Sequence, residues 1–173
     1  MNAQVTTPKH LPAVPDGYGT VTPWIIGRDT AGLIDFLVAA FGAEEISRLE
    51  LEDGIIGHAE VRIGDSMVMM FDARPQWPDT PAFLRLYVEH GDDVMRRAVA
   101  AGASVVTELT HLFWGDRVGR VRDPWGNLFW IQERVEEVDP DELERRATDP
   151  VFAEAMAYVQ GADFFGPATP GTR

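Results

Sequence analysis

The chain has 173 residues, of which 45% are hydrophobic and 25% charged, a balance typical of a globular protein. Its formal net charge of −13 disfavours nucleic-acid binding, because an acidic surface repels phosphate backbones. No apolar run reaches the roughly 20 residues of a membrane-spanning helix, and the first residues lack the apolar core of a secretory signal. There are no cysteines, which excludes disulfides, thiolate ligands and a cysteine nucleophile. We therefore expect a cytoplasmic protein that contacts neither membrane nor nucleic acid.

The first half of the chain predicts a strand, a helix and three more strands. Residues 1–19 are rich in proline and predict an extended arm. The helix begins at Asp29 or Thr30 and ends at Gly42, and its apolar residues Leu33, Ile34, Leu37 and Ala40 recur at helical spacing. The pattern of β-rich segments and glycine turns places the strands at 20–27, 45–52, 55–63 and 66–71.

The same order of elements recurs after a proline-rich linker at 72–81. Gly42-Ala43 matches Gly102-Ala103 at an offset of 60 residues, and GHAEVR at 57–62 matches RVGRVR at 117–122. The second helix, GDDVMRRAVAAG, is predicted to bury Val94, Met95, Ala98 and Val99. The strands of this second half are predicted at 82–89, 104–109, 118–122 and 127–133.

This repeat predicts the fold class. A four-stranded sheet with one helix cannot bury both faces alone, whereas two copies side by side can enclose a shared cleft. We predict an α+β fold in which two βαβββ modules, 20–72 and 82–135, stand in tandem and form a curved mixed sheet around a cleft. A C-terminal helical extension, 136–173, follows. It has two helix starts, Asp139-Pro140 and Asp149-Pro150, and a docking stripe of Phe152, Met156 and Val159.

Three segments resemble the vicinal-oxygen-chelate superfamily, which includes glyoxalase I, the bleomycin-resistance proteins and the extradiol dioxygenases. They are IDFLVAAFGAEE (34–45), GIIGHAEVRIGDSMVMM (54–70) and FWGDRVGRVRDPWGNLFWIQ (113–132). The D-P-x-G-N turn at 123–127 is the most specific short element, and the chain is most similar to the PhnB-like branch. The resemblance spans about 20–135 and implies paired modules around a cleft, in a homodimer.

The resemblance also permits a test for a metal site. Metal-dependent members carry His or Glu early in the first strand and in the last strand of each half. Counting from the matched motifs, these positions hold Thr22, Met69, Phe83 and Trp130. None of these side chains is a good ligand for a divalent cation. We therefore expect no metal and no cofactor, and neither glyoxalase I nor extradiol dioxygenase activity.

Strand alternation predicts the lining of the cleft. If Thr22, Phe83, Met69 and Trp130 face it, so do residues two positions away, and Trp114 lies near its mouth at a hairpin tip. Arg85 and Gln132 are polar groups on apolar strands, so each needs a partner: a ligand, Asp116 or Glu60. The predicted ligand-binding residues are Trp24, Met69, Phe83, Arg85, Tyr87, Trp114, Trp130 and Gln132.

His58 and Glu60 are the candidate catalytic residues, because they share one face of a strand and a carboxyl group in an apolar cleft has a raised pKa. Alternatively, the two residues have only a structural role, with His58 hydrogen-bonded and Glu60 paired with Arg62 or Arg120. Together with His111, His58 and Glu60 could instead form a metal site of two histidines and one carboxylate.

The sequence is consistent with three functions. The first is a binder resembling the bleomycin-resistance proteins, without the usual metal site, that holds an aromatic or cationic organic molecule in an aromatic cleft. The second is a metal-free or atypical-metal lyase or isomerase that acts on a small metabolite through His58 and Glu60. The third is a structural partner protein that docks through its C-terminal helix.

Overall fold

The computed structural model describes residues 11–164, which form two successive βαβββ units followed by two helices. Residues 1–10 and 165–173, which include His10 and half of the predicted arm, lie outside the described part. The first unit comprises β1 (Trp24–Gly27), α1 (Thr30–Phe41), β2 (Glu44–Glu50), β3 (Ile56–Ile63) and β4 (Ser66–Asp72). The second comprises β5 (Phe83–Tyr87), α2 (Gly91–Ala100), β6 (Ser104–His111), β7 (Asp116–Arg122) and β8 (Leu128–Arg134). The final helices are α3 (Pro140–Ala147) and α4 (Pro150–Gln160).

Each unit forms its own four-stranded mixed sheet. The strand order is β1-β4-β3-β2 in the first and β5-β8-β7-β6 in the second. In both sheets the first strand runs parallel to the last, and the other pairs are antiparallel. The α+β class and the two tandem modules predicted from the repeat are therefore confirmed.

α1 and α2 each pack against one face of the sheet in their own module. Asp29 Oδ1 accepts the N–H of Gly32 at 2.9 Å and begins α1, and Gly42 ends it with φ of 68°, a left-handed conformation that glycine adopts without strain. The predicted inward residues of α1 are buried, and so are Val94, Met95 and Ala98 of α2. Val99 was wrongly predicted to face inward: it is 46% exposed, because one step along a helix turns the side chain by about 100°.

One hydrophobic core joins the two modules. The rings of Phe36 and Phe41 on α1 lie 5.8 and 4.8 Å, centroid to centroid, from that of Phe129 on β8. Arg97 of α2 donates from Nε to the carbonyl of Ala40 at 3.1 Å. The modules are therefore two sheets but one packed interior.

The C-terminal helices form where the Asp-Pro signals predict them. Asp139 and Asp149 accept backbone N–H groups at the starts of α3 and α4. α4 packs on the second module, where Val159 is 2% exposed within a small cluster that contains Leu112 and Val118. Val159 of the predicted stripe is thus buried inside the chain, and Phe152 and Met156 are half-buried. Within residues 11–164, no helix has both the length and the apolar character required to cross a bilayer.

Candidate functional site

The strand registers bring three equivalent positions together on each sheet. In the first module Met69 lies between Trp24 and Glu60, and in the second Trp130 lies between Arg85 and Arg120. Register partners share a face, and adjacent residues such as Met70 and Phe129 belong to the core on the helix side. Both triplets therefore lie on the sheet face away from the helices. Their side chains differ completely between the two modules.

Glu60 is the centre of a hydrogen-bonded cluster on the first face. Its Oε1 lies 3.1 Å from His58 Nε2, and its Oε2 accepts the hydroxyl of Tyr18 at 2.8 Å. The Trp24 ring lies edge-on to His58 at 5.7 Å between centroids. The predicted pairing of Glu60 with an arginine is wrong, because Arg62 pairs with Glu44 and Arg120 lies on the other sheet.

This cluster lowers the pKa of the candidate catalytic carboxyl group, Glu60. Hydrogen bonds from His58 and then Tyr18 lower the pKa of Glu60 and outweigh the opposing effect of burial. The predicted raised pKa is therefore wrong. The same contact, together with burial, raises the pKa of Tyr18. Glu60 is an ionised hydrogen-bond acceptor, which suits it to orient His58 better than to abstract a proton.

A cavity of about 370 Å³ lies on the face of the second module. Of the residues predicted to bind a ligand, Arg85, Trp114, Trp130 and Gln132 line it. Trp114 lies in the turn between β6 and β7, as expected. Small-molecule sites have volumes of about 300–1,000 Å³ and mostly apolar walls with a few polar groups, and this cavity matches that description.

α4 supplies a wall of this cavity that the sequence did not predict. Met156, Val159 and Gln160 all line it. The apolar stripe of α4 indicated that the helix docks somewhere, but a stripe carries no information about the surface that it covers. Arg120 was also missed as a lining residue, although its alternation with Val118 on β7 is a signal for that face.

Arg120 is a buried cation with neutral partners. It is 3% exposed, and Nη1 donates to the carbonyl of Val159 at 2.7 Å and to the hydroxyl of Thr107 at 3.4 Å. Its guanidinium carbon lies 3.9 Å from the ring centroid of Trp130. Burial, followed by the nearby charge of Arg85, lowers the pKa of Arg120.

Gln132 and Arg85, the two polar residues predicted to need partners, differ in their contacts. Gln132 donates to Asp116, one of its predicted partners, and both side chains are buried. Arg85 lies with its guanidinium carbon 4.7 Å from the Trp130 ring centroid. Among residues 11–164 it has neither a hydrogen bond nor an ion pair.

The remaining predicted ligand residues lie elsewhere. Trp24 and Met69 are on the first sheet, and Phe83 and Tyr87 on β5 are 48% and 64% exposed. Tyr87 lines a larger cavity of about 830 Å³ that includes residues of both modules, and Arg85 borders both cavities. Trp130 lines the smaller cavity, whereas Trp24, Met69 and Phe83 are not among the described residues that line either cavity. The eight predicted residues therefore do not share one cavity.

The positions of the superfamily metal do not fit a cation. Thr22 precedes β1 and donates its hydroxyl to the carbonyl of Gly19, while Met69, Phe83 and Trp130 carry no suitable nitrogen or oxygen donor. Nor does His111 join His58: its Nε2 lies 3.0 Å from Glu136 Oε1. Among residues 11–164, no three His, Asp or Glu side chains are arranged to hold a metal ion.

Tandem βαβββ modules that share one core define the class of protein. The model of the Glyoxalase/Bleomycin resistance protein/Dioxygenase superfamily matches residues 18–131. The chain belongs to this superfamily, as the sequence resemblance predicted.

Its relatives include proteins from mycobacteria and other bacteria. The uncharacterized protein Mb0911c of Mycobacterium bovis is 38% identical over 135 residues, which cover 72% of this chain and 89% of that protein. The crystal structure of TioX from Micromonospora sp. ML1 is similar with a TM-score of 0.58 and 26% identity over 68% of this chain and 99% of that one. A PhnB protein from Bacillus cereus, a putative 3-demethylubiquinone-9 3-methyltransferase, has the same fold (TM-score 0.52, 12% identity, covering 66% and 99%).

Proposed function

We propose that this protein binds a small organic molecule in the cavity of the second module and holds it without chemical change. The observation that carries the proposal is the composition of the lining. The described residues around the cavity are arginine, glutamine, tryptophan, leucine, valine and methionine only. Aromatic and apolar groups bind flat ligands, and none of these side chains serves as a general base or nucleophile.

Membership of a superfamily that includes the bleomycin-resistance proteins supports a binding role. The site positions are also unsuited to a divalent cation, which removes the metal-assisted route of enzymes such as glyoxalase I. A protein of this kind sequesters its ligand, so affinity and slow release are the properties that matter.

The test is a thermal-shift and tryptophan-quenching screen with flat aromatic compounds that differ in charge. We expect a subset to raise Tm, and Trp114→Ala to abolish that shift because Trp114 lines the cavity. Trp24→Ala is the matched control, since Trp24 is an aromatic residue on the other sheet. Loss of binding in the Trp24 variant alone, or no shift with any compound, contradicts the proposal.

A second candidate is a lyase or isomerase in which His58 is the base and Glu60 orients it. The hydrogen bond between them, close to the exposed Trp24 ring, favours this candidate. A histidine held by a carboxylate is a common general base. Incubation with a mixture of small metabolites, followed by mass spectrometry, tests it. Substrate consumed by the wild type and equally by His58→Ala excludes the role.

We also propose that the protein is a cytoplasmic homodimer. The absence of cysteine suits a reducing compartment, and superfamily membership suits dimers. β2 is an edge strand with all seven residues exposed, among them Ile46 and Leu49 at 40% and 56%. Exposed apolar edge strands are pairing surfaces.

The dimer proposal has a direct test. We expect light scattering to report twice the 19.2 kDa chain mass for the wild type and the single mass for Leu49→Lys. Val151→Lys, an exposed apolar residue on α4, is the control and retains the dimer. A monomeric wild type at micromolar concentration contradicts the proposal.

A further inference from the structure

We infer that the ligand of the second-module cavity is an organic carboxylate attached to an aromatic ring system, with Arg120 and Arg85 binding the anionic group. This inference rests on the proposed binding function and deepens it by naming the ligand class. It departs from the cationic ligand that the acidic chain as a whole suggests.

Arg120 carries a buried charge with no counter-ion in the part of the chain that the structure describes. Its only acceptors among residues 11–164 are the backbone carbonyl of Val159 and the hydroxyl of Thr107. Removing a guanidinium from water costs free energy that only a charge partner offsets well. Arginines elsewhere in the fold have such partners: Arg117 contacts Asp92 and Glu133. The missing counter-ion at Arg120 is therefore a local feature of this cavity.

One edge of the Arg120 guanidinium also has no acceptor among the described residues. Nη1 makes both hydrogen bonds, whereas the buried Nε has no partner in the described residues and Nη2 donates to none of them. The indole Nε1 of Trp130 is also buried without an acceptor. A carboxylate offers two oxygens in one plane, the arrangement that binds a guanidinium edge through two parallel hydrogen bonds.

A second cation, Arg85, lies beside Arg120. The guanidinium groups of Arg85 and Arg120 both lie against the ring of Trp130, and their like charges repel. No aspartate or glutamate is among the described residues that line the cavity, and the nearby Asp116 is engaged by Gln132. A bound anion relieves the repulsion and supplies the counter-charge at once.

The comparison between modules shows that this charge is specific to one face. Glu60 occupies on the first sheet the position that Arg120 occupies on the second, and its partners His58 and Tyr18 satisfy both carboxylate oxygens. An anion is therefore repelled there. The chain's net charge of −13 acts over distances that physiological salt screens beyond about 8 Å, so the two nearby arginines dominate inside the cavity.

Three probes with the same ring system test the inference: naphthalene-2-carboxylate, the neutral 2-naphthamide and the cationic 2-naphthylmethylamine. We expect calorimetry and tryptophan quenching to show the carboxylate binding at least tenfold more tightly than the amide, and no binding of the amine. Arg85→Gln is expected to weaken carboxylate binding several-fold, and Arg120→Met at least tenfold. Arg117→Gln is the control on β7 and leaves the affinity unchanged, because Arg117 is already paired outside the cavity.

Each result separates this inference from the proposed function. Equal binding of carboxylate and amide, with no effect of either arginine variant, overturns the inference and leaves the binding function standing. Failure of all three probes, while another compound of the screen raises Tm, overturns the inference alone, and the absence of a shift with any compound overturns both. Arg85 is exposed, so its variant remains informative if Arg120→Met does not fold. Preferential binding of the amine also overturns the inference, in favour of a cationic ligand.

Discussion

Asp123 explains why the turn at 123–127 is the most specific short element of the sequence. Its Oδ1 accepts the N–H groups of Trp125 and Asn127 at 2.9 and 2.8 Å, and Oδ2 accepts the side-chain amide of Asn127 at 2.7 Å. Asn127 Oδ1 in turn accepts the N–H of Ala82 at 2.9 Å. The turn therefore joins the β7–β8 connection to the start of β5. Its residue types are set by hydrogen bonds that few other side chains can make.

Asp123→Ala is expected to lower the free energy of unfolding by about 2–3 kcal/mol, because buried N–H donors lose their acceptors. Urea denaturation followed by circular dichroism measures the change. Asp65→Ala, in the exposed β3–β4 turn, is the control and costs less than about 0.5 kcal/mol. A loss at Asp123 no greater than that at Asp65 shows that the turn is not held by this side chain.

Tyr18→Phe is expected to raise the pKa of Glu60, because it removes one of the hydrogen bonds that stabilise the carboxylate. Carbon-detected NMR titration of the glutamate carboxyl groups measures it directly. Tyr158→Phe, whose hydroxyl contacts Glu108 instead, is the control and leaves Glu60 unchanged.

The sign of the accompanying stability change follows from linkage. The folded-state pKa of Glu60 lies below the ordinary value of 4.5, so its contribution to stability is present above that value and is lost as pH falls through the folded pKa. Tyr18→Phe therefore destabilises the protein at neutral pH, and the difference from wild type shrinks under acid. A difference that grows as the pH falls from 7 to 3 contradicts this assignment.

Single residues were predictable where the information is local. Alternation along a strand placed Arg85, Trp130 and Gln132 on one side, and their register and shared cavity agree with it. The partners of Glu60 were not predictable, because Tyr18 comes from a segment 42 residues away that has no periodic pattern. The direction of the Glu60 pKa shift depends on those partners, so it could not be predicted either.

α4 stabilises the second module through one strongly buried side chain. We expect Val159→Ala to lower the free energy of unfolding by about 1–3 kcal/mol, because it leaves a void against Leu112 and Val118. Val151→Ala, on the same helix and 71% exposed, is the control with little effect. Chemical denaturation of both variants is the measurement, and equal losses would mean that α4 does not dock as described.

The helices themselves were readable from the sequence, but their packing was not. Asp139-Pro140 and Asp149-Pro150 are start signals that act within a few residues, and both helices begin there. Where α4 docks depends on the shape of a surface built by strands far away in the chain. Its contribution to the cavity therefore required the structure.

The shared core makes the molecule one folding unit. Phe129 is fully buried and touches Phe36 and Phe41 of the other module, so Phe129→Ala is expected to cost about 3–5 kcal/mol and to destabilise both modules together. Calorimetry should show one transition at a lower Tm, and amide exchange in β3 and β7 should accelerate together. Val38→Ala, an exposed position on α1, is the control. Two separated transitions in the wild type would disprove the single core.

At the scale of the whole molecule, the repeat predicted two modules and the motif resemblance predicted the superfamily, and both are confirmed. The sequence did not indicate that the candidate residues fall on two faces of opposite character. Periodicity determines which side of a strand a residue occupies, whereas the relation between two sheets depends on packing between distant segments. The two modules share their backbone register but carry Glu60 and Arg120 at the equivalent position.

The origin of the cavity walls affects how a ligand should be sought. The superfamily match ends at residue 131, whereas Met156, Val159 and Gln160 lie beyond it in α4. A compound chosen because another superfamily member recognises it is therefore matched to the part of the cavity that the superfamily fold forms, and not to the wall that the C-terminal tail (α4) adds outside the matched residues. Selectivity among homologues should vary with the tail, and exchanging tails between homologues would transfer preference without altering the scaffold.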